Sequence, residues 1–254
     1  MNRATKALWK RKLAYRRKRV HRWRVKGNIP KVNHWLVLVR EAVRKLEPPK
    51  PAKPAHGIDV SVHNGSVDWP KVKAAGFTFA FCKSTEGEDY RDSTWTKQRV
   101  TDLRAARIQF GPYHYLRPRA GRSGGTEARW FINNAYAAGW GKPGDLRAVL
   151  DFEETALSPA ATIRYLEQAV KEVKRLTGRA PIIYTGGPFW AEHGGGTNNF
   201  GCPLWLAAYV VHPEPYIPKA WKRFNLWQYT STGKVPGVST ADVDQNLAHD
   251  LPHL

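Results

Sequence analysis

From residue 56 onward, apolar positions come in short blocks, and several blocks run directly into an acid. His56-Gly57-Ile58-Asp59-Val60-Ser61 reads as a short strand with an acid near its end. Phe77 to Lys83 alternates and is rich in β-formers. Gln109–Tyr115 follows as a strand, then the apolar run Ala148-Val149-Leu150 leading into Asp151-Phe152-Glu153-Glu154, then Pro181–Thr185. Helical segments separate these strands. One starts at Asp68-Trp69-Pro70, with Asp as cap and Pro early, and stops at Gly76. Others cover about Lys97–Arg107, Thr126–Ala138 and Ala160–Leu176, the last opened by Ser158-Pro159 and ended by Gly178. A Gly-rich loop at Gly194-Gly195-Gly196 comes next. The strands Leu204–Tyr209, Phe224–Gln228 and Asp242–Asn246 then close the chain with little helix between them. Strand and helix alternate at first and strands later come almost alone. This predicts an α/β fold, an irregular TIM-like (β/α) barrel with eight strands and fewer helices.

The first 47 residues follow a different pattern. Trp9, Leu13, Val20 and Trp23 fall at spacings of 4, 7 and 3, one stripe of a helix that Arg16 interrupts. Gly27-Asn28-Ile29-Pro30 should break that helix. A second should span about Lys31–Leu46, with Trp35, Val39, Ala42, Val43 and Leu46 on one side. The expected organisation is a basic amphipathic helical arm over 1–47, a Pro-rich linker over 48–55 and a barrel over 56–254.

Charge sharpens this division. Of the formal net charge of +20, residues 1–55 hold 18 Lys and Arg against 2 Asp and Glu, whereas the other 199 residues hold 23 against 19. The basicity therefore belongs to the arm, which is expected to meet an acidic polymer, nucleic acid or an anionic membrane surface, or simply to dock on the barrel. Two cysteines, Cys82 and Cys202, make neither a disulfide framework nor a zinc pattern, and they are expected not to pair. No stretch is apolar enough to span a membrane or to act as a secretion signal, so the chain is expected to be made without one and to depend on another route if it acts outside the cell.

The candidate chemistry lies at the strand ends. In a strand Asp151 and Glu153 point to one side and Glu154 to the other, with the first two Cβ atoms roughly 6–7 Å apart. Two carboxyl groups so placed suit acid-assisted glycoside cleavage, although acids at a strand end also pair with nearby Arg or Lys. Barrel sites form at the C-terminal ends of strands. Asp59 ends the first strand, Asp151 and Glu153 end the fourth, and Asp244 lies in the last, next to the first once the barrel closes. Four carboxyl groups should therefore share one mouth and raise one another's pKa, leaving one, here Glu153, protonated as general acid. No dense Asp-x-Asp loop suggests a hard-metal site, so neither metal nor cofactor is expected.

The motifs along residues 56–254 resemble those of the glycoside hydrolase family 25 muramidases, the Chalaropsis-type or cellosyl-type lysozymes. They are Gly57-Ile58-Asp59-Val60-Ser61, Phe81-Cys82-Lys83-Ser84-Thr85-Glu86-Gly87, Gly111-Pro112-Tyr113-His114-Tyr115 and Leu150-Asp151-Phe152-Glu153, then Ile183-Tyr184-Thr185-Gly186, Leu204-Trp205-Leu206-Ala207-Ala208-Tyr209, Leu226-Trp227-Gln228-Tyr229 and Val243-Asp244-Gln245-Asn246. Eight in order are specific where any one is weak, and the first 55 residues lie outside the resemblance. It implies cleavage of the β-1,4 bond from N-acetylmuramic acid to N-acetylglucosamine in bacterial peptidoglycan. Glu153 would be the proton donor, with Asp151, Asp59 and Asp244 beside it, by a substrate-assisted or an inverting route. Tyr113, Tyr184, Trp205, Tyr209 and Trp227 match aromatic positions of the sugar groove, with barrel packing as the alternative use of each. The resulting expectation is a monomeric phage lysin or virion-associated wall enzyme with no specific nucleic-acid partner. The alternative is a non-catalytic glycan-binding barrel.

Overall fold

Strand residues that are apolar on both faces need two apolar environments, and a closed barrel wrapped by helices supplies both. The computed structural model describes residues 3–26, 29–46, 54–194, 196–249 and 251. Of the expected break Gly27-Asn28-Ile29-Pro30, Gly27 and Asn28 lie outside the described residues, as do most of the Pro-rich segment and Gly195, whereas Ile29 and Pro30 open the second helix. The chain forms two compact units, Met1–Ala52 and Lys53–Leu254.

The first unit consists of α1 (Arg3–Val25) and α2 (Ile29–Leu46). Its contacts run in opposite order along the two helices. Lys31 lies over the Trp23 ring, Tyr15 meets Trp35 edge-on, and Arg16 reaches Leu38 and Glu41. The unit is therefore an antiparallel hairpin.

The second unit contains β1 (Ala55–Val60), α3 (Trp69–Ala74), β2 (Phe77–Glu86), β3 (Tyr90–Arg91), α4 (Lys97–Ala105), β4 (Gln109–Tyr115), α5 (Gly124–Ala137), β5 (Val149–Asp151), α6 (Pro159–Thr177), β6 (Ile182–Gly186), α7 (Gly187–His193), β7 (Leu204–Ala207), β8 (Leu226–Gly233) and β9 (Val243–Ala248). Asp68 caps α3 through the Lys71 N–H, Thr96 caps α4 through the Arg99 N–H, and Gly178 ends α6 in the left-handed region at φ 72°. Eight strands close the barrel in the order β1, β9, β8, β7, β6, β5, β4, β2 and back to β1, and the two-residue β3 adds to the end of β2. Neither β3 nor α7 was expected. Both are too short for a periodic signal, and α7 begins with Gly187-Pro188 inside a Gly-rich stretch.

One strand supplies the irregularity of the barrel. β9 pairs antiparallel with both β1 and β8, while the other closing pairs are parallel. The start of β9, not its end, therefore reaches the rim formed by the ends of the other strands, and Asp244 sits directly opposite Asp59.

Side chains divide by strand parity. Phe79, Phe81, Val149, Ile182, Tyr184, Trp205, Leu226 and Ala248 fill the barrel, while Ile58, Ala80, Leu150, Ile183, Leu204 and Leu206 pack outward with the helices. The inner aromatics fit because glycines face them. A Cβ on Gly57 would lie 2.3 Å from the Phe79 ring, and one on Gly111 would lie 2.8 Å from that of Phe81. Gly57→Ala should therefore lower the unfolding free energy by about 1–3 kcal/mol, the usual cost of overpacking. In a Phe79→Leu background the same change should cost less. Equal costs in urea titrations of both backgrounds would show that the two sites do not share this contact.

Candidate active site

The mouth of the barrel collects residues from all eight barrel strands. A cleft of about 200 Å³ is lined by Asp59, Ser61, His63, Lys83, Tyr113, Tyr115, Asp151, Glu153, Tyr184, Trp205, Gln228 and Asp244. The four predicted acids thus meet. β5 delivers Asp151 buried, and the chain leaves regular structure just beyond it, so Phe152 turns outward onto Phe189 and Trp190 while Glu153 lines the cleft. Glu153 is the most exposed acid of the four, Asp244 is half-buried, and Asp59 and Asp151 are buried.

Asp59 is held at the floor by two amides. Asn246 donates to Oδ1 at 2.7 Å, and the Gln228 Nε2 spans both oxygens at 3.1 and 3.2 Å. Aromatic donors fix the direction of each amide. The Trp205 indole N–H can only donate, and it takes the Asn246 carbonyl oxygen at 2.8 Å. The hydroxyls of Tyr184 and Tyr209 take the Gln228 carbonyl oxygen at 2.8 and 2.7 Å. Both N–H ends are thereby left facing Asp59. Trp205, at 2 % exposure, and the buried Tyr184 support this floor, whereas Tyr209 is 56 % exposed at the rim.

Burial raises all four acids above their ordinary values, and neighbouring negative charges add to it for Asp151, Glu153 and Asp244. For Asp151, burial comes first, then Glu153 and Asp59, with Lys83 opposing. For Glu153, burial by the cleft walls comes first, then Asp59, again against Lys83. Asp244 is raised to about 8 by burial, by the charge of Asp59 and by a hydrogen bond that puts the shared proton on Asp244. The amides and that hydrogen bond favour ionised Asp59 but do not cancel its burial. One Asp151 oxygen, Oδ1, is buried and has no hydrogen-bond partner among the described residues.

Glu154 has a different role. It pairs with Arg117 and Arg119, and Arg117 also holds Glu86 at 2.6 Å, which Lys83 meets at 2.6 Å. The alternative use of strand-end acids, pairing with nearby Arg, thus applies to Glu154. Behind β4, His114 is fully buried, with Nδ1 2.8 Å from the Thr85 hydroxyl and Nε2 2.9 Å from Glu127. Glu127 also accepts the Arg117 backbone N–H at 2.8 Å and the Tyr165 hydroxyl. This cluster fixes β4 between Tyr113 and Tyr115, which face the cleft.

Trp227 is not brought to the cleft. Gln228 points inward, so strand parity turns Trp227 to the outer face, where its N–H donates to the Ala208 carbonyl at 2.6 Å. There it pins the segment that carries Tyr209. Both cysteines are free and buried, and burial raises their thiols, Cys82 to about 11 and Cys202 to about 12. No metal-binding group of three or more His, Cys, Asp or Glu is found among the described residues.

Comparison with known proteins bears directly on this cleft. The pattern described as "Glycosyl hydrolases family 25" matches residues 58–238, from the Asp59 strand past β8. The chain belongs to glycosyl hydrolase family 25. It is 35 % identical over 200 residues to Lysozyme M1 of Streptomyces globisporus, a match covering 75 % of this chain and 66 % of that one. With the N,O-diacetylmuramidase of Arthroderma benhamiae it shares 30 % identity, over 72 % of this chain and 80 % of the relative. The crystal structure of a lysozyme from Streptomyces coelicolor superposes with a TM-score of 0.69 at 35 % identity, covering 76 % of this chain and 90 % of that one. The chain spans about two thirds of the length of Lysozyme M1. This family-25 chain is a glycoside hydrolase of the muramidase type, and a non-catalytic reading finds no support among its relatives.

Sequence reasoning on single residues missed Gln228, Asn246 and Lys83 as parts of the site. The available signal was a polar side chain at an inward position of an otherwise apolar strand. Asp244 offers a test of the crowded cleft. A raised folded-state pKa means that its proton binds more tightly in the folded chain, so its contribution favours folding at low pH. That contribution is lost as pH climbs from the ordinary 3.8 toward about 8. The melting-temperature gain of Asp244→Asn over wild type should therefore be small at pH 4 and reach about 2–4 °C at pH 9, as ~1 kcal/mol gives in a domain of this size. A gain independent of pH would place the charge strain elsewhere.

Glu127 should behave oppositely. Burial alone would raise it, but the hydrogen bonds from His114, Tyr165 and the Arg117 N–H outweigh burial and hold it below the ordinary 4.5. Its stabilisation is then present above pH 4.5 and lost as pH falls through the depressed value. Glu127→Gln should cost about 3–5 kcal/mol at pH 7, as breaking a buried pair does. The deficit in denaturant titrations should narrow below pH 4, and a deficit unchanged there would deny the charge a role.

Proposed function

We propose that this chain cleaves the β-1,4 bond between N-acetylmuramic acid and N-acetylglucosamine in peptidoglycan, with Glu153 as general acid. The observation that carries this reading is the convergence of four carboxyl groups in one cleft, of which Glu153 is open to a ligand. A cluster whose pKa values are raised together holds protons near neutral pH, and the reaction needs one of them on Glu153. Asp151 helps to place it there. Its unpartnered oxygen fits the N–H of the substrate's 2-acetamido group, and such a hydrogen bond favours the ionised form of Asp151. This shifts the cluster's proton toward Glu153 and holds the acetamide oxygen toward the anomeric carbon, the arrangement of a substrate-assisted route. Asp59 and Asp244 add negative potential beneath the developing oxocarbenium ion. Tyr113 and the exposed Tyr209 supply aromatic wall, with Tyr184 and Trp205 supporting it from below.

The wider setting rests on the pairing of a wall-degrading barrel with a cationic unit. In this reading residues 1–47 hold a monomeric enzyme to an anionic wall polymer or membrane surface. The enzyme serves as a phage lysin or virion-associated lytic enzyme.

Digestion of purified peptidoglycan, followed by mass spectrometry of reduced products, tests the assignment. Wild type should release fragments ending in reducing N-acetylmuramic acid, and Glu153→Gln should slow release by about 10²–10⁴-fold, the range for loss of a general acid. Fragments ending in reducing N-acetylglucosamine would correct the bond. A first-formed product of inverted configuration at the anomeric carbon would remove the role given to the acetamide.

A further inference from the structure

The hairpin of α1 and α2 has a built-in asymmetry that bears on what it binds. Trp9, Leu13, Arg16, Val20 and Trp23 follow one another at steps of 4, 3, 4 and 3, one side of α1, and all are half-buried. Arg16 does not interrupt that side but uses it. Its guanidinium donates to the Leu38 carbonyl at 2.6 Å and to Glu41 at 3.2 Å across the hairpin. Trp23 has Lys31 of α2 over its ring at 4.1 Å. The apolar stripe that a membrane-surface helix would insert into lipid is thus turned toward α2.

The rest of α1 carries charge. Lys6, Lys10, Arg11, Arg17, Lys18 and Arg22 are exposed, and Arg11, Lys18 and Arg22 lie opposite the stripe. The helix contains no acid in 23 residues. Among its described side chains the exposed bulky apolar ones are Leu8 and Tyr15, two turns apart with Arg11 and Lys12 between them, and the Tyr15 hydroxyl already accepts N–H groups from Arg19. The exposed face is therefore a rod about 35 Å long with closely spaced cations and little to insert. Guanidinium groups pair with phosphate in a two-pronged fashion that lysine cannot match.

We propose that α1 binds a flexible phosphodiester polymer carried by the cell wall, by charge and without entering a bilayer. This deepens the proposed wall-hydrolase reading and rests on it, because a polymer fixed beside the glycan raises the enzyme's effective concentration at its substrate.

The test uses the full chain and the triple variant Arg11→Gln, Lys18→Gln, Arg22→Gln, with helicity of the variant checked by circular dichroism. Binding is measured to sacculi that retain their phosphodiester polymer and to sacculi stripped of it by acid, across 50–300 mM salt. Wild type should bind the retained form at least 10-fold more tightly. In the variant the slope of log affinity against log salt should flatten by about 2, three charges at about 0.7 each. Equal binding to both kinds of sacculi, or a variant that binds as wild type does, overturns the proposal. Co-sedimentation with anionic phospholipid vesicles with a blue-shifted tryptophan emission would overturn it in favour of a bilayer. Retention of a single-stranded oligonucleotide at salt that abolishes sacculus binding would overturn it in favour of nucleic acid. Release of reducing ends from soluble glycan is followed in the same samples and should be equal for both proteins. Its absence from both would fail the hydrolase reading while leaving the binding result to stand or fall by itself.

Discussion

Carboxyl groups that face one another where water is scarce cannot all be ionised, and the rest of the barrel is arranged around that constraint. Burial supplies the largest part of each raised pKa, and the neighbouring acids supply the next. Such a cluster is unstable unless something fixes which groups keep protons. Gln228 and Asn246 do this from one side by donating to Asp59, so the lowest acid of the cleft carries charge at least cost. Lys83 acts from the other side, lowering both Asp151 and Glu153. The surplus protons then belong to Asp244 and the Asp151–Glu153 pair, where a substrate can reach Glu153.

The amides can serve only because their carbonyl ends are occupied elsewhere. Trp205 takes one and two tyrosines take the other. Aromatic residues on this wall are therefore electrostatic parts as well as apolar ones. Their N–H and O–H groups orient amides that in turn set the charge state of an acid. Trp227 shows the complementary case. It faces outward and ties down the Ala208 carbonyl, acting on the cleft only through the segment that bears Tyr209.

The rim is rigid for a related reason. Lys83, Glu86, Arg117, Glu154 and Arg119 form a continuous chain of ion pairs along it. Exposed pairs of this kind add little stability singly, but a network holds its members in one geometry. Glu127 anchors the same rim from behind through the Arg117 backbone. The hairpin unit uses charge in the opposite way. One arginine is spent within it on a carbonyl and a carboxylate, while Arg11, Arg17 and Arg22 face solvent on a helix without acids.

By itself the sequence determined the architecture and the identity of the acids. Apolar blocks alternating with capped helices can bury themselves only in a layered α/β fold, and motifs such as Leu150-Asp151-Phe152-Glu153 carry the family because backbone and side-chain parity are local properties. Short elements escaped it, since two residues in β3 and seven in α7 are too few to show a period. Tertiary structure alone decided the direction of β9, hence that Asp244 meets Asp59 at the start of its strand and not at the end. It alone decided that Gln228 and Asn246 complete the floor, that Trp227 faces away, and that Arg16 bridges two helices. Each of these depends on pairing between residues distant in the chain. A strand's own pattern shows which side chains share a face, but only its neighbours decide which face looks inward.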